Sequence, residues 1–148
     1  RLKREINRED VEKIMKQCPE EWEHLSRGLQ QALPAISLTG HPALSSAYMN
    51  DVEPDMVFAQ QVYGYGSRGD VLIGISTSGS SRNVISAIKI ARAFGIGTIG
   101  MTGEKGGLLK ELCDVCIMVP AQETYKIQEY HLPVYHSICT MLETEFFT

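Results

Sequence analysis

The run DVLIGIS (Asp70–Ser76) is apolar, ends in the loop Ser76-Thr77-Ser78-Gly79-Ser80-Ser81, and passes directly into a segment that fits a helix. A short continuous apolar run reads as a strand buried on both faces. Such strands belong to parallel sheets, whose successive members need a crossover helix. The pattern recurs: LPAISLT (Leu33–Thr39), GTIGMT (Gly97–Thr102) and DVCIMVP (Asp114–Pro120) are the other expected strands, with helical segments between and after them. Alternation of this kind predicts an α/β fold, a three-layer sandwich of a parallel sheet with helices on both faces.

Two flanking regions read differently. Residues Asn7 to Gln31 keep near-helical spacing of apolar side chains, with a break at Cys18 and an acidic start to a second helix at Pro19-Glu20-Glu21. The segment Gln122 to Phe147 is expected to be helical, with Pro133 kinking it or dividing it in two. No repeat, low-complexity tract or linker interrupts the 148 residues. A single domain is expected, with residues 1–31 as a helical extension or insertion and 32–148 as the α/β core.

A formal charge of −4 gives no long-range attraction to nucleic acid or anionic lipid, so neither is an expected partner. No apolar run reaches the roughly 20 residues of a membrane helix, and no secretory leader is visible, which leads to a cytoplasmic expectation. Four scattered cysteines suit a reducing compartment. Cys113 and Cys116 have CxxC spacing, but they fall in a strand-like run without a second such pair, so packing is their expected role.

In an open parallel sheet, ligands gather at the carboxyl ends of strands. Ser76 to Ser81 occupies such an exit. A helix N-terminus there offers N–H donors and a positive dipole end, hydroxyls add donors, and Gly79 lets backbone approach closely. There is no GxxxxGK[ST], and no GxGxxG at the first strand-to-helix turn, so a single phosphate on a small molecule fits better than a nucleotide. The competing reading is that Ser80 or Ser81 merely caps a helix.

On GDVLIGISTSGSSRNVISAIKIARAFG, TIGMTGEKGG and KIQEYHLPVYHSICTMLE, the chain resembles the sugar isomerase (SIS) domain family, and within it the phosphoheptose isomerases. The likeness runs from about Leu33 to Glu143 and implies a flavodoxin-like sheet. It implies that Ser76, Thr77, Ser78 and Ser81 contact a sugar phosphate, and that Asn50 and Asp51, in SSAYMNDVEPD, line the sugar site. From the residues alone, Asn50-Asp51 also reads as a turn closing a helix.

Gln128, His131 and His136 interrupt an apolar helical face. Gln128 and His136 are separated by about 12 Å along an ideal helix and rotated by roughly 80°, which permits convergence without requiring it. Spacing alone favours buried, hydrogen-bonded histidines. The resemblance implies instead that Gln128 and His136 are zinc ligands or catalytic groups, with Gln128 also touching sugar. It leaves His131 open. His24 and His41 are expected at the surface or at helix ends.

The resemblance also places a phosphate loop, a central strand, and a helix carrying a histidine and a glutamate upstream of the region matched. These 148 residues contain no such segment, and the sequence begins at Arg1 rather than methionine, so residues preceding Arg1 are expected. The function implied is isomerisation of sedoheptulose 7-phosphate to D-glycero-D-manno-heptose 7-phosphate by a homotetramer. The alternative is a non-catalytic SIS module, either a phosphosugar sensor or a relative of the protein that associates with the replication initiator.

Overall fold

The computed structural model describes residues 5–147, which divide into two compact units, one comprising the chain up to Ile36 together with Cys139 onward, the other Ser37–Ile138.

In the first unit, α1 (Arg8–Gln17) starts at Asn7, whose side chain accepts from the Asp10 N–H at 2.8 Å. Glu9 and Asp10 lie in its first turn and Lys16 in its last, as the helix dipole favours. Cys18 leaves the helical region (φ −132°, ψ 65°) because Pro19 crowds an α conformation in the residue before it. A second helix, α2, spans Trp22–Gly28. The expected break at Cys18 is present, and the helical region stops short of Gln31.

The second unit holds α3 (Pro42–Asp51), a 3₁₀ turn (Pro54–Met56), α4 (Val57–Tyr65), β1 (Val71–Ile75), α5 (Arg82–Ala93), β2 (Gly97–Thr102), α6 (Gly107–Leu112) and β3 (Val115–Met118). The sheet is parallel, ordered β1-β2-β3, with Ile73 opposite Ile99 and Ile99 opposite Val115. Gly74 and Gly100 are register partners. The first faces Val84 and Ile88 of α5 and the second faces Leu109 of α6, so both helices lie against one face of the sheet.

Beneath these helices Ile85, Ile88 and Leu109 form a core that Leu72, Cys113 and Cys116 adjoin. Val62 of α4 packs with Ala87, Ala91 and Ile96 in a second cluster. Burial raises the pKa of both Cys113 and Cys116, as their place beside the Ile85, Ile88 and Leu109 core favours. On the other sheet face Val71, Ile73, Ile75 and Val115 are exposed.

Asp114 fastens the opening of β3 to β2. Its Oδ2 accepts from both the N–H and the hydroxyl of Thr98, each at 2.8 Å, and its own N–H donates to the Thr98 hydroxyl at 3.0 Å. These donors hold its carboxyl below the usual range.

Leu33–Thr39 is not a strand. It is irregular, with a turn in which the Gly40 N–H donates to the Ser37 carbonyl, and Ile36 is 61% exposed. Strand conformation is held by ladder partners. Among the described residues no strand pairs with this segment, and Pro34 removes one donor.

The final helix, α7, runs unbroken from Thr124 to Phe147 with Pro133 inside it. Pro133 therefore does not divide it. The Pro133 carbonyl also accepts from the Ser137 hydroxyl at 2.8 Å.

Candidate phosphate site at the sheet's carboxyl end

β1 delivers Ser76 to the end of the sheet, where its N–H donates to the Met101 carbonyl of β2 at 3.0 Å. From there the loop turns back on itself. Gly79 N–H donates to the Ser76 carbonyl at 3.0 Å, and the hydroxyls converge: Ser76 Oγ lies 2.9 Å from Ser81 Oγ and 3.4 Å from Ser78 Oγ. Ser76 is buried beneath this cluster, Thr77 is half-buried, and Ser78 and Ser81 are exposed. The cluster opens to solvent.

Ser81 is the N-cap residue of α5, yet its side chain makes no capping hydrogen bond. The hydroxyl turns instead toward Ser76. That removes the simple capping reading of Ser81 and leaves the N–H groups of Arg82 and Asn83 at the open end of a 12-residue helix. Ser80 has a different task, because its Oγ accepts from the Leu108 N–H at 3.3 Å and so faces the neighbouring loop.

That neighbouring loop, Gly103 to Gly107, supports the serine loop through backbone contacts. Leu109 N–H donates to the Gly79 carbonyl at 2.9 Å, and Thr77 O accepts from Gly103 N–H at 3.2 Å and from Thr102 Oγ1 at 3.4 Å. Gly79 has φ +67°, and a methyl group there would run into the Gly106 backbone. Only glycine tolerates both conditions. This buttress is not apparent in the reading of the sequence, which treats Gly103–Gly107 as a connection. The clue available there was the glycine pair following a strand that ends in threonine.

The other candidates lie on α3 and α7. Asn50 and Asp51 are exposed on the last turn of α3. The adjoining 3₁₀ turn approaches the serine loop, since Asp55 pairs with Arg82 at 3.7 Å. On α7 the buried positions are Ile127 and His131, and Gln128 and His136 are exposed. His136 packs edge-on against Tyr135, with ring centroids 4.8 Å apart. It lies half a turn away from the Ile127 stripe on an ideal helix. His131, by contrast, places Nε2 3.3 Å from the Thr102 carbonyl.

The donor set does not complete a zinc site. Zinc takes four ligands, Gln128 and His136 offer two at most, and among the described residues no three His, Cys, Asp or Glu converge as metal ligands.

The SIS domain family matches residues 36–144. The chain belongs to that family. A phosphoheptose isomerase of Aliarcobacter butzleri is 47% identical to this SIS domain over 116 residues, 78% of this chain and 61% of the relative. One of Crocosphaera subtropica is 48% identical over 118 residues, 80% of this chain and 60% of the relative. The solved phosphoheptose isomerase of Neisseria gonorrhoeae superposes with a TM-score of 0.72 at 35% identity, over 90% of this chain and 69% of that one. That of Francisella tularensis gives 0.75 at 35% identity, over 78% and 62%. The SIS domain described here thus spans about three-fifths of the length of the curated relatives it matches. No helix among the described residues is long and apolar enough to cross a membrane.

Proposed function

We propose that this SIS domain binds a phosphosugar and serves the isomerisation of sedoheptulose 7-phosphate to D-glycero-D-manno-heptose 7-phosphate. The observation that carries the reading is the convergence of Ser76, Ser78 and Ser81 hydroxyls at an α5 N-terminus whose cap side chain is turned away from capping. Oriented N–H groups and hydroxyls stabilise an oxyanion without a lysine or arginine. Relatives at 41–48% identity that are phosphoheptose isomerases support the choice of sugar.

In this proposal Ser76, Thr77, Ser78 and Ser81 hold the phosphate, and Asn50, Asp51 and Gln128 contact the sugar. The reaction removes a proton from C1 of the ketose and protonates the oxygen on C2, giving an enediol. A proton then returns to C2 while the C1 hydroxyl loses its own and becomes the aldehyde. His136 is the proposed acid/base, since imidazole exchanges protons near neutral pH.

Gln128 and His136 lie on the exposed face of α7, which suits a site completed by another chain, and a homotetramer is part of the proposal. So is zinc at these two residues, with its remaining donors from outside the described residues. A cytoplasmic location is proposed from the free cysteines.

One observation favours a second reading. The Ser76, Ser78 and Ser81 hydroxyls converge within this chain, and a phosphosugar-binding module without turnover would need no more than the anion site they form. Incubating the chain with sedoheptulose 7-phosphate, with and without chelator, separates the two. Aldose formation supports the isomerase, and tight binding without aldose supports the module. Absence of binding overturns both.

A further inference from the structure

Among the described residues, His131 is the buried titratable side chain that the proposed chemistry does not use. It is 4% exposed, beside Ile127 at 2%, on the face of α7 that packs into the Ser37–Ile138 unit. A polar ring buried at such a position costs stability unless it is hydrogen-bonded. Its partner is the carbonyl of Thr102, which also accepts the Val119 N–H at 3.0 Å. A carbonyl oxygen has two lone pairs and can accept both.

Thr102 is fully buried at the end of β2. Its hydroxyl donates to the Thr77 carbonyl at 3.4 Å, and the next residue, Gly103, donates its N–H to the same carbonyl at 3.2 Å. The Thr102-Gly103 peptide is therefore a pivot with the serine loop on one side and α7 on the other. Thr77 sits between Ser76 and Ser78, and its carbonyl lies in the peptide plane that leads into Ser78.

We propose that His131 is a positioning residue for the serine loop: its Nε2–H, held on the Thr102 carbonyl, fixes the Thr102–Thr77 pair that aims the Ser76 and Ser78 hydroxyls at a phosphate. The proposal rests on the phosphosugar reading of that loop. A carbonyl only accepts, so the ring must carry its proton on Nε2. An imidazole in this role touches no substrate. Its effect appears in affinity, through the loop.

The test uses the full chain with sedoheptulose 7-phosphate and inorganic phosphate as probes in calorimetric titrations. His131→Leu keeps the apolar packing and removes the donor, and it is expected to weaken binding of both probes about tenfold, the scale of a hydrogen bond worth ~1.4 kcal/mol. His131→Gln places an amide N–H where Nε2 stood, and it is expected to restore affinity to within about threefold, a rescue that simple packing would not produce. Nitrogen NMR of the unsubstituted chain is expected to show the Nε2–H tautomer, with a resonance that moves when phosphate is added.

Affinity of His131→Leu equal to that of the unsubstituted chain overturns this inference and leaves the phosphate site standing. So does a His131→Gln as weak as His131→Leu, or a tautomer protonated on Nδ1. An unsubstituted chain that binds neither probe overturns the phosphate reading and this inference with it. Should His131→Leu fail to fold, Thr102→Val interrupts the same relay from the other end. It is expected to weaken both probes severalfold, and unchanged affinity there overturns the inference.

Discussion

Ser76 Oγ lies 2.9 Å from Ser81 Oγ, so the hydroxyl that closes β1 meets the hydroxyl that opens α5. Side chains five positions apart touch because the loop folds back at Gly79. Replacing Ser78 and Ser81 together with alanine removes two donors from the opening and leaves the buried Ser76 in place. Phosphosugar affinity, measured by calorimetric titration, is expected to fall more than tenfold. Unchanged affinity would sink the phosphate site.

His136 stands on the exposed face of α7 and is proposed to move protons rather than to hold the ligand. His136→Ala is expected to abolish aldose formation while sedoheptulose 7-phosphate still binds within about threefold of the unsubstituted affinity, because general acid–base groups contribute typically 10²–10⁴-fold to rate. Turnover retained at the original rate would return this histidine to a surface role.

Gly79 combines φ +67° with a backbone neighbour where a side chain would go. Gly79→Ala is expected to cost about 1–3 kcal/mol in denaturant unfolding and to weaken phosphate binding as the two loops part. A variant as stable as the parent, with intact binding, would show that the loops have room to separate.

Asp114 has its carboxyl pKa lowered by the Thr98 hydroxyl and N–H. A value lower in the folded than in the unfolded chain means that the stabilisation is fully present above the unfolded value, about 3.9 for aspartate, and is lost as pH falls through the folded value. Asp114→Asn is therefore expected to lower the unfolding midpoint at neutral pH and to flatten its decline below about pH 4. Parallel acid-unfolding curves for the two proteins would show that the carboxylate contributes nothing.

Much of this arrangement is legible in the residues. The β1-loop-α5 unit follows from an apolar run, a hydroxyl loop and a helical segment in direct succession, and β2 and β3 follow from the same grammar. The break at Cys18 follows from the proline after it. Leu33–Thr39 misleads because apolar content signals burial, whereas a strand also needs a neighbour with which to exchange hydrogen bonds.

His131 and His136 show the limit most clearly. Both lie in one helical segment, and no local preference separates them. Spacing suggests a buried histidine but not which one, and the fold alone turns His131 onto the Thr102 carbonyl and His136 toward solvent.

Local order in this chain, where strands stop, where hydroxyls gather and where helices start, comes from near-neighbour sterics and from the period of apolar residues, and both are written along the sequence. The support of the serine loop by Thr102, Gly103 and Leu109 comes from residues 20 to 30 positions away, brought close when the sheet assembles. Hydrogen bonds of that reach depend on register and packing, which pairwise patterns along a chain do not encode.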